Sequence, residues 1–212
     1  MPNHCYNTLT FCGPEQTLEQ IKIDLGHIEI GEDNDGDPTT IYSPLHFNNL
    51  IPMPDDVSTD SSSENLPKWY SWRVDNWGTK WEPWETTCSL VDNLLTYTFI
   101  TAWAEPQQIV EFLSEKYKLP THHSYTEEFG QFSGIRVYQD GEEIINISAD
   151  FDIPTAEQMM YADYAFDRLN IHAAACPECG REKVIDHYSN TLEKAVCEDC
   201  CDECKQTNEG DN

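Results

Sequence analysis

Hydrophobic and polar positions along the chain divide it into a short series of elements. Residues 5–12, Cys-Tyr-Asn-Thr-Leu-Thr-Phe-Cys, are β-prone and run into Gly13-Pro14, which predicts a strand and its terminator. From Glu15 to Leu25, Leu18, Ile21 and Leu25 recur at helical spacing, and Pro14 is tolerated at the start of a helix. Leu94 to Trp103 carries the strongest strand signal in the chain. Pro106 then opens a helix whose Ile109, Phe112, Leu113 and Tyr117 share one face, with Lys116 and Lys118 at its C-terminal end and Pro120 as the stop. Three further strands are predicted over His122–Phe129, Phe132–Gln139 and Ile144–Asp150, the last two joined by an Asp140-Gly141 turn. Residues 155–170 read as an amphipathic helix through Met159, Met160, Tyr164, Phe166 and Leu169.

Between residues 26 and 66 the pattern fades. Glu32–Asp37 is an acidic run and Ser58–Asn65 a Ser-rich one, and Phe47–Pro54 reads as an extended segment pinned by Pro52 and Pro54. The run Asp33–Asp37 lacks the spaced ligands and closing Glu of a calcium loop and reads as solvated. The element order indicates an α+β fold, an antiparallel sheet with helices on one face. We divide the chain into a domain over 1–154, with an acidic and Ser-rich insertion near 26–66, a linking helix over 155–175, a small module over 176–204 and a tail over 205–212.

Charge changes the list of partners. The formal net charge is −27, spread as −11 over residues 1–66, −10 over 67–170 and −6 over 176–212. Such a field repels phosphate backbones and anionic lipid and attracts basic surfaces. A host protein with a basic surface is therefore the expected partner, with no direct nucleic-acid or membrane contact. Imitation of nucleic-acid charge is one specific version. No stretch has the length of apolar sequence that a membrane helix needs, and the N-terminus lacks a signal-peptide pattern, so a cytoplasmic location is expected.

The nine Cys then read as thiols and metal ligands rather than disulfides. Cys176-Pro177-Glu178-Cys179-Gly180 is a CxxCG turn, and Cys197-Glu198-Asp199-Cys200 follows after seventeen residues. Two CxxC pairs at this separation predict a closed four-thiolate structural zinc site. The ligands expected are Cys176, Cys179, Cys197 and Cys200, with Cys201 and Cys204 as alternates; His187 reads as a hairpin surface residue. Lys183–Tyr188 and Leu192–Val196 can form the hairpin of a zinc ribbon, and a segment this short needs such a staple.

Five of the six Trp, Trp69, Trp72, Trp77, Trp81 and Trp84, crowd into residues 69–84. They suit core packing, with a partner surface as the rival reading. In His122–Glu128, alternation puts His123, Tyr125 and Glu127 on one sheet face and His122, Ser124, Thr126 and Glu128 on the other. A His/Glu pair could do acid–base work, although no nucleophile accompanies it. Cys5, Cys12 and Cys88 read as ordinary buried thiols. No phosphate-cradling Gly loop, GxSxG or HExxH occurs.

Several strings occur together in order: Met1–Asn7, Leu50–Pro54, Asn76-Trp77-Gly78-Thr79-Lys80-Trp81, Phe99–Trp103, Tyr125–Glu128 and Phe132–Gly134. The set resembles the YubB-like ferredoxin-like domain of phages and conjugative plasmids over roughly residues 1–150, with His4 where Trp is usual. The resemblance implies a ferredoxin-like antiparallel sheet and a mobile-element origin, and it carries over no catalytic residue. The expectation is a non-enzymatic binding protein with a C-terminal zinc ribbon, acting in the cytoplasm of a bacterial host. Trp77, Lys80, Trp81, His123 and Glu127 are the candidate partner-binding residues. The rival expectations are an enzyme using the His123/Glu127 face on a nucleotide-like substrate, and a zinc-ribbon adaptor.

Overall fold

A computed structural model describes residues 3–32, 37–58, 67–150 and 152–173, together with the backbone of 187–189 and 194–196. The chain runs through β1 (His4–Cys12), α1 (Glu15–Leu25), β2 (His27–Glu32), β3 (Pro38–Ser43), α2 (Phe47–Leu50), α3 (Asp55–Ser58) and α4 (Lys68–Trp77). It continues with β4 (Trp84–Val91), β5 (Leu94–Ala102), α5 (Gln107–Tyr117), β6 (Thr121–Glu127), β7 (Phe132–Gln139), β8 (Glu142–Asp150), α6 (Ala156–Ala173), β9 (His187–Ser189) and β10 (Lys194–Val196).

Six strands form one antiparallel sheet in the order β4-β5-β1-β6-β7-β8. Its centre, β6-β1-β5-β4, interleaves two β-α-β units through α1 and α5, which is the ferredoxin-like arrangement. The hairpin β7–β8 widens the sheet beside β6. Asp140 and Gly141 both take positive φ (55° and 86°), as a two-residue hairpin turn matching the sheet twist requires.

Odd-numbered positions of β1 and β5 build the main core. Leu9, Phe11, Leu95, Tyr97 and Phe99 meet Leu18, Ile21 and Leu25 of α1 and Ile109, Val110 and Leu113 of α5. Each fully buried Leu or Ile there contributes about 2 kcal/mol. The second face carries a smaller cluster, where Ala162 and Phe166 of α6 cover Cys12, Ile135, Val137 and Ile145. Helices therefore do not all lie on one face: α1 and α5 cover the first, whereas α6, read from sequence as a link, docks on the second.

Three other expectations change. Phe47–Pro54 is not extended throughout, because Phe47–Leu50 is a helical turn. Its free N–H groups are met from a distance: Glu82 accepts from the amides of Phe47 (2.6 Å) and Asn48 (3.0 Å). The stretch with the faded pattern contains the hairpin β2–β3, whose tip at 33–36 lies outside the described residues. Trp84–Val91, for which the sequence pattern predicted no element, is an edge strand bulged between Trp84 and Thr87.

Candidate functional site on the open sheet face

His123 and Glu127 lie on the first face, under the helices. His123 of β6 is fully buried, and its Nε2 lies 3.1 Å from Asn7 Oδ1. The amide nitrogen of Asn7 donates to the Cys5 carbonyl (2.8 Å) and to Thr101 Oγ1 (2.9 Å), which leaves Oδ1 to accept from His123. Burial, then the Arg136 charge and His122, hold the His123 imidazole down to about 3, so it stays neutral. Glu127 is buried too, and its Oε2 accepts from the amides of Phe129 (2.8 Å) and Gln131 (3.1 Å), tying down the β6–β7 turn.

His123 and Glu127 share a face yet stand four residues apart on one strand, about 13 Å at the usual rise. They form no pair. Cys5 sits opposite Glu127, and burial, with Glu105 and Glu127 nearby, pushes its thiol up to about 12, which removes it as a nucleophile at neutral pH. Beside this row, Arg136 of β7 bonds Glu143 (2.6 Å) and Glu105 (3.2 Å).

The Asn76–Trp81 string acts as a joint between α4 and the sheet. Asn76 Nδ2 donates to the Trp72 carbonyl (2.8 Å), Trp77 Nε1 to the Ile51 carbonyl (2.9 Å) and Thr79 Oγ1 to the Ala102 carbonyl (2.8 Å). Trp77 is fully buried, edge-on to Phe47 and Trp72. Of the five candidate partner-binding residues, Trp77, His123 and Glu127 are thus interior. Lys80 and Trp81 remain half-buried, the Lys80 ammonium lying 4.5 Å from the Trp81 ring centre.

The opposite face of the sheet is only partly covered. Register places Thr8 beside Ser124 and Thr98, Thr10 beside His122 and Thr96, and Tyr6 beside Thr126 and Ile100. Thr87 and Ser89 of β4 extend this hydroxyl-rich surface. Thr10 and Thr96 share a hydrogen bond of 3.2 Å, and Thr87 and Thr98 one of 2.7 Å. At one end His4 meets Trp84 edge-on, and Trp84 meets Trp81.

Toward α6 the face deepens into a groove of about 350 Å³, lined by Tyr6, Thr8, Ser124, Thr126, Ser133, Ile153, Pro154 and Met159 among others. Its surroundings are acidic. Glu128 accepts from the His4 amide (3.1 Å), Asp152 follows β8, Glu157 lies in the first turn of α6, and Asp163 lies 3.5 Å from His122. Residues 137–167 contain no Lys or Arg. Burial lowers the His122 pKa, against the pull of Asp163 and Asp167.

Sequence reading missed the groove. Alternation in His122–Glu128 puts Ser124 and Thr126 on the face opposite His123, but nothing local shows that α6 stops short of covering them. Among the described residues no cluster of three or more His, Cys, Asp or Glu is arranged to hold a metal. Cys176, Cys179, Cys197, Cys200, Cys201 and Cys204 lie outside the described residues. The backbone between the two CxxC pairs does pair: β9 and β10 are antiparallel, with Tyr188 opposite Ala195. Among the described residues no helix is long and apolar enough to cross a membrane.

These features define an α+β protein of ferredoxin-like architecture, widened by a hairpin and carrying an open, acid-rimmed sheet face. Residues 76–167 match the family model described as the ferredoxin-like domain in Api92-like protein. The match takes in most of α6. A solved structure, described as the crystal structure of a protein api92 from Yersinia pseudotuberculosis, superposes with a TM-score of 0.55. The superposition covers 73% of this chain and 100% of that one at 9% sequence identity, a likeness of fold alone. No curated protein matches the chain.

Proposed function

We propose that this protein is a non-enzymatic binding protein whose partner presents a basic surface. The observation that carries the reading is the contrast between the two sheet faces. His123 and Glu127, the candidate acid–base pair, are buried in structural bonds, whereas the accessible face carries hydroxyls and apolar side chains and is bordered by carboxylates. Cations elsewhere are engaged: Lys22 with Glu19, Lys116 with Asp24, Arg136 with Glu105 and Glu143. The carboxylate excess therefore points outward, as an attractive field for cationic partners.

The resemblance to the YubB-like domain supports an origin in a phage or plasmid and action in the cytoplasm of a bacterial host. There a host protein with a basic groove, such as one that binds nucleic acid, is the partner class of choice. Zinc has a structural part in this proposal: Cys176, Cys179, Cys197 and Cys200, with Cys201 or Cys204 as exchangeable ligands, would close a four-thiolate site at the base of the β9–β10 hairpin. CxxC spacing and the pairing of those two strands support it. Affinity capture from bacterial lysate on the immobilised full-length chain tests the function. Retained proteins should be basic and should elute as salt is raised. Retention indifferent to salt, or no retention at physiological salt, would remove the basis for the reading.

A further inference from the structure

We propose that the groove between β1, β6 and the first turn of α6 is the seat of an extended, Lys- or Arg-bearing peptide segment of the partner. This rests on the binding reading above and adds the place and the form of the ligand. The floor supplies Thr8, Ser124 and Thr126 from neighbouring strands. Their hydroxyls have no hydrogen-bond partner among the described residues, whereas Thr10, Thr87, Thr96 and Thr98 outside the groove bond one another. Free hydroxyls on a sheet floor are donors and acceptors for a peptide backbone.

The spacing of these groups selects the ligand's conformation. Alternate residues of a strand recur about every 6.8 Å on one face, and the same repeat separates like-facing groups of an extended peptide. A helical ligand repeats every 5.4 Å and is about 10 Å thick, a poor match to a floor of this pitch. The walls supply apolar seats, with Ile153 65% exposed and Met159 40% exposed. Met in particular adapts to varied side chains.

Charge selects the ligand's sign. Glu128 lies beyond the Tyr6 end, and Asp152 and Glu157 flank the α6 end. With no Lys or Arg in residues 137–167 or on β1 and β6, a ligand in the groove meets carboxylates and no competing cation from these elements. A peptide alternating apolar and cationic residues would place the first on Ile153 and Met159 and direct the second outward to the rim.

A random twelve-residue peptide library displayed on phage, panned against the full-length protein, tests this. Enriched peptides are then synthesised with a fluorophore and titrated by anisotropy against the wild type and two groove variants. Ser124→Trp fills the floor, and Met159→Arg places a cation on the wall at an exposed helical position. Enriched peptides should be rich in Lys and Arg alternating with apolar residues, and each variant with an unchanged Tm should weaken them at least tenfold. Basic peptides that bind both variants as well as the wild type would overturn the groove while leaving the basic-partner reading in place. Enrichment of neutral or acidic peptides would overturn both.

Discussion

His123 should make this protein measurably weaker in mild acid, by an amount that can be worked out. In the folded chain its imidazole is held down to about 3, first by burial and then by the positive charge of Arg136; in the unfolded chain it has the ordinary value near 6.5. The folded state therefore binds fewer protons than the unfolded state between these values. The contribution is complete above about pH 6.5 and is lost as pH falls toward about 3. At about 1.4 kcal/mol per pH unit the whole effect is roughly 5 kcal/mol, of which roughly 2.5 kcal/mol falls between about pH 7 and pH 4.5. Urea unfolding of the wild type and of His123→Gln at these two pH values isolates it, because the carboxylates titrate in both proteins. Gln keeps a donor for Asn7 Oδ1 and does not titrate. The wild type should lose about 2.5 kcal/mol more than the variant on acidification. Equal losses, or an imidazole whose NMR shift titrates above pH 5, would show that His123 is not the neutral buried donor described.

Other substitutions probe separate parts of the account. Gly134 lies opposite Tyr125 in the β6–β7 register, and a Cβ there would run into the Tyr125 ring and come within 2.8 Å of the Ile147 carbonyl. Gly134→Ala should therefore cost about 1–3 kcal/mol in chemical unfolding, and no loss would mean that the ring does not lie over the glycine. Glu82→Ala removes the acceptor for two amides of α2 and should destabilise by about 1–2 kcal/mol, with faster amide exchange at Phe47 and Asn48 as the specific sign. Metal analysis of the purified protein should give one zinc per chain. Cys176→Ser should release it, and comparison of Cys200→Ser with Cys204→Ser should show which sulfur completes the site.

Much of the sheet could be read directly because its strands obey simple patterns. In β1, β5 and β6 apolar or buried positions alternate, and α1 and α5 repeat Leu18, Ile21, Leu25 and Ile109, Leu113 at helical spacing. What escaped depends on partners remote in sequence. The helical turn at Phe47 is capped by Glu82, 35 residues away. The edge strand β4 is polar on its outward positions and bulged at its start, so it lacks a strong strand signal. The site shows the same limit. Alternation in His122–Glu128 sorted the residues correctly onto two faces, but which face the helices would cover is a tertiary fact. The eye-catching His123 and Glu127 went inside, and the plain Ser124 and Thr126 were left at the accessible groove. Trp77 followed the same rule: its ring is fully buried against Phe47 and Trp72, where a large aromatic side chain contributes more as core than as surface.

Two-dimensional NMR of the isotope-labelled full-length protein, titrated with a basic peptide enriched on it, tests the central claim most directly. Amide shifts on β1, β6 and the first turns of α6 should move together with one dissociation constant, weakening as salt is raised, while those of α1 and α5 stay still. Movement centred on α1 and α5, or shifts scattered over the whole surface, would contradict a binding site on the open face of the sheet.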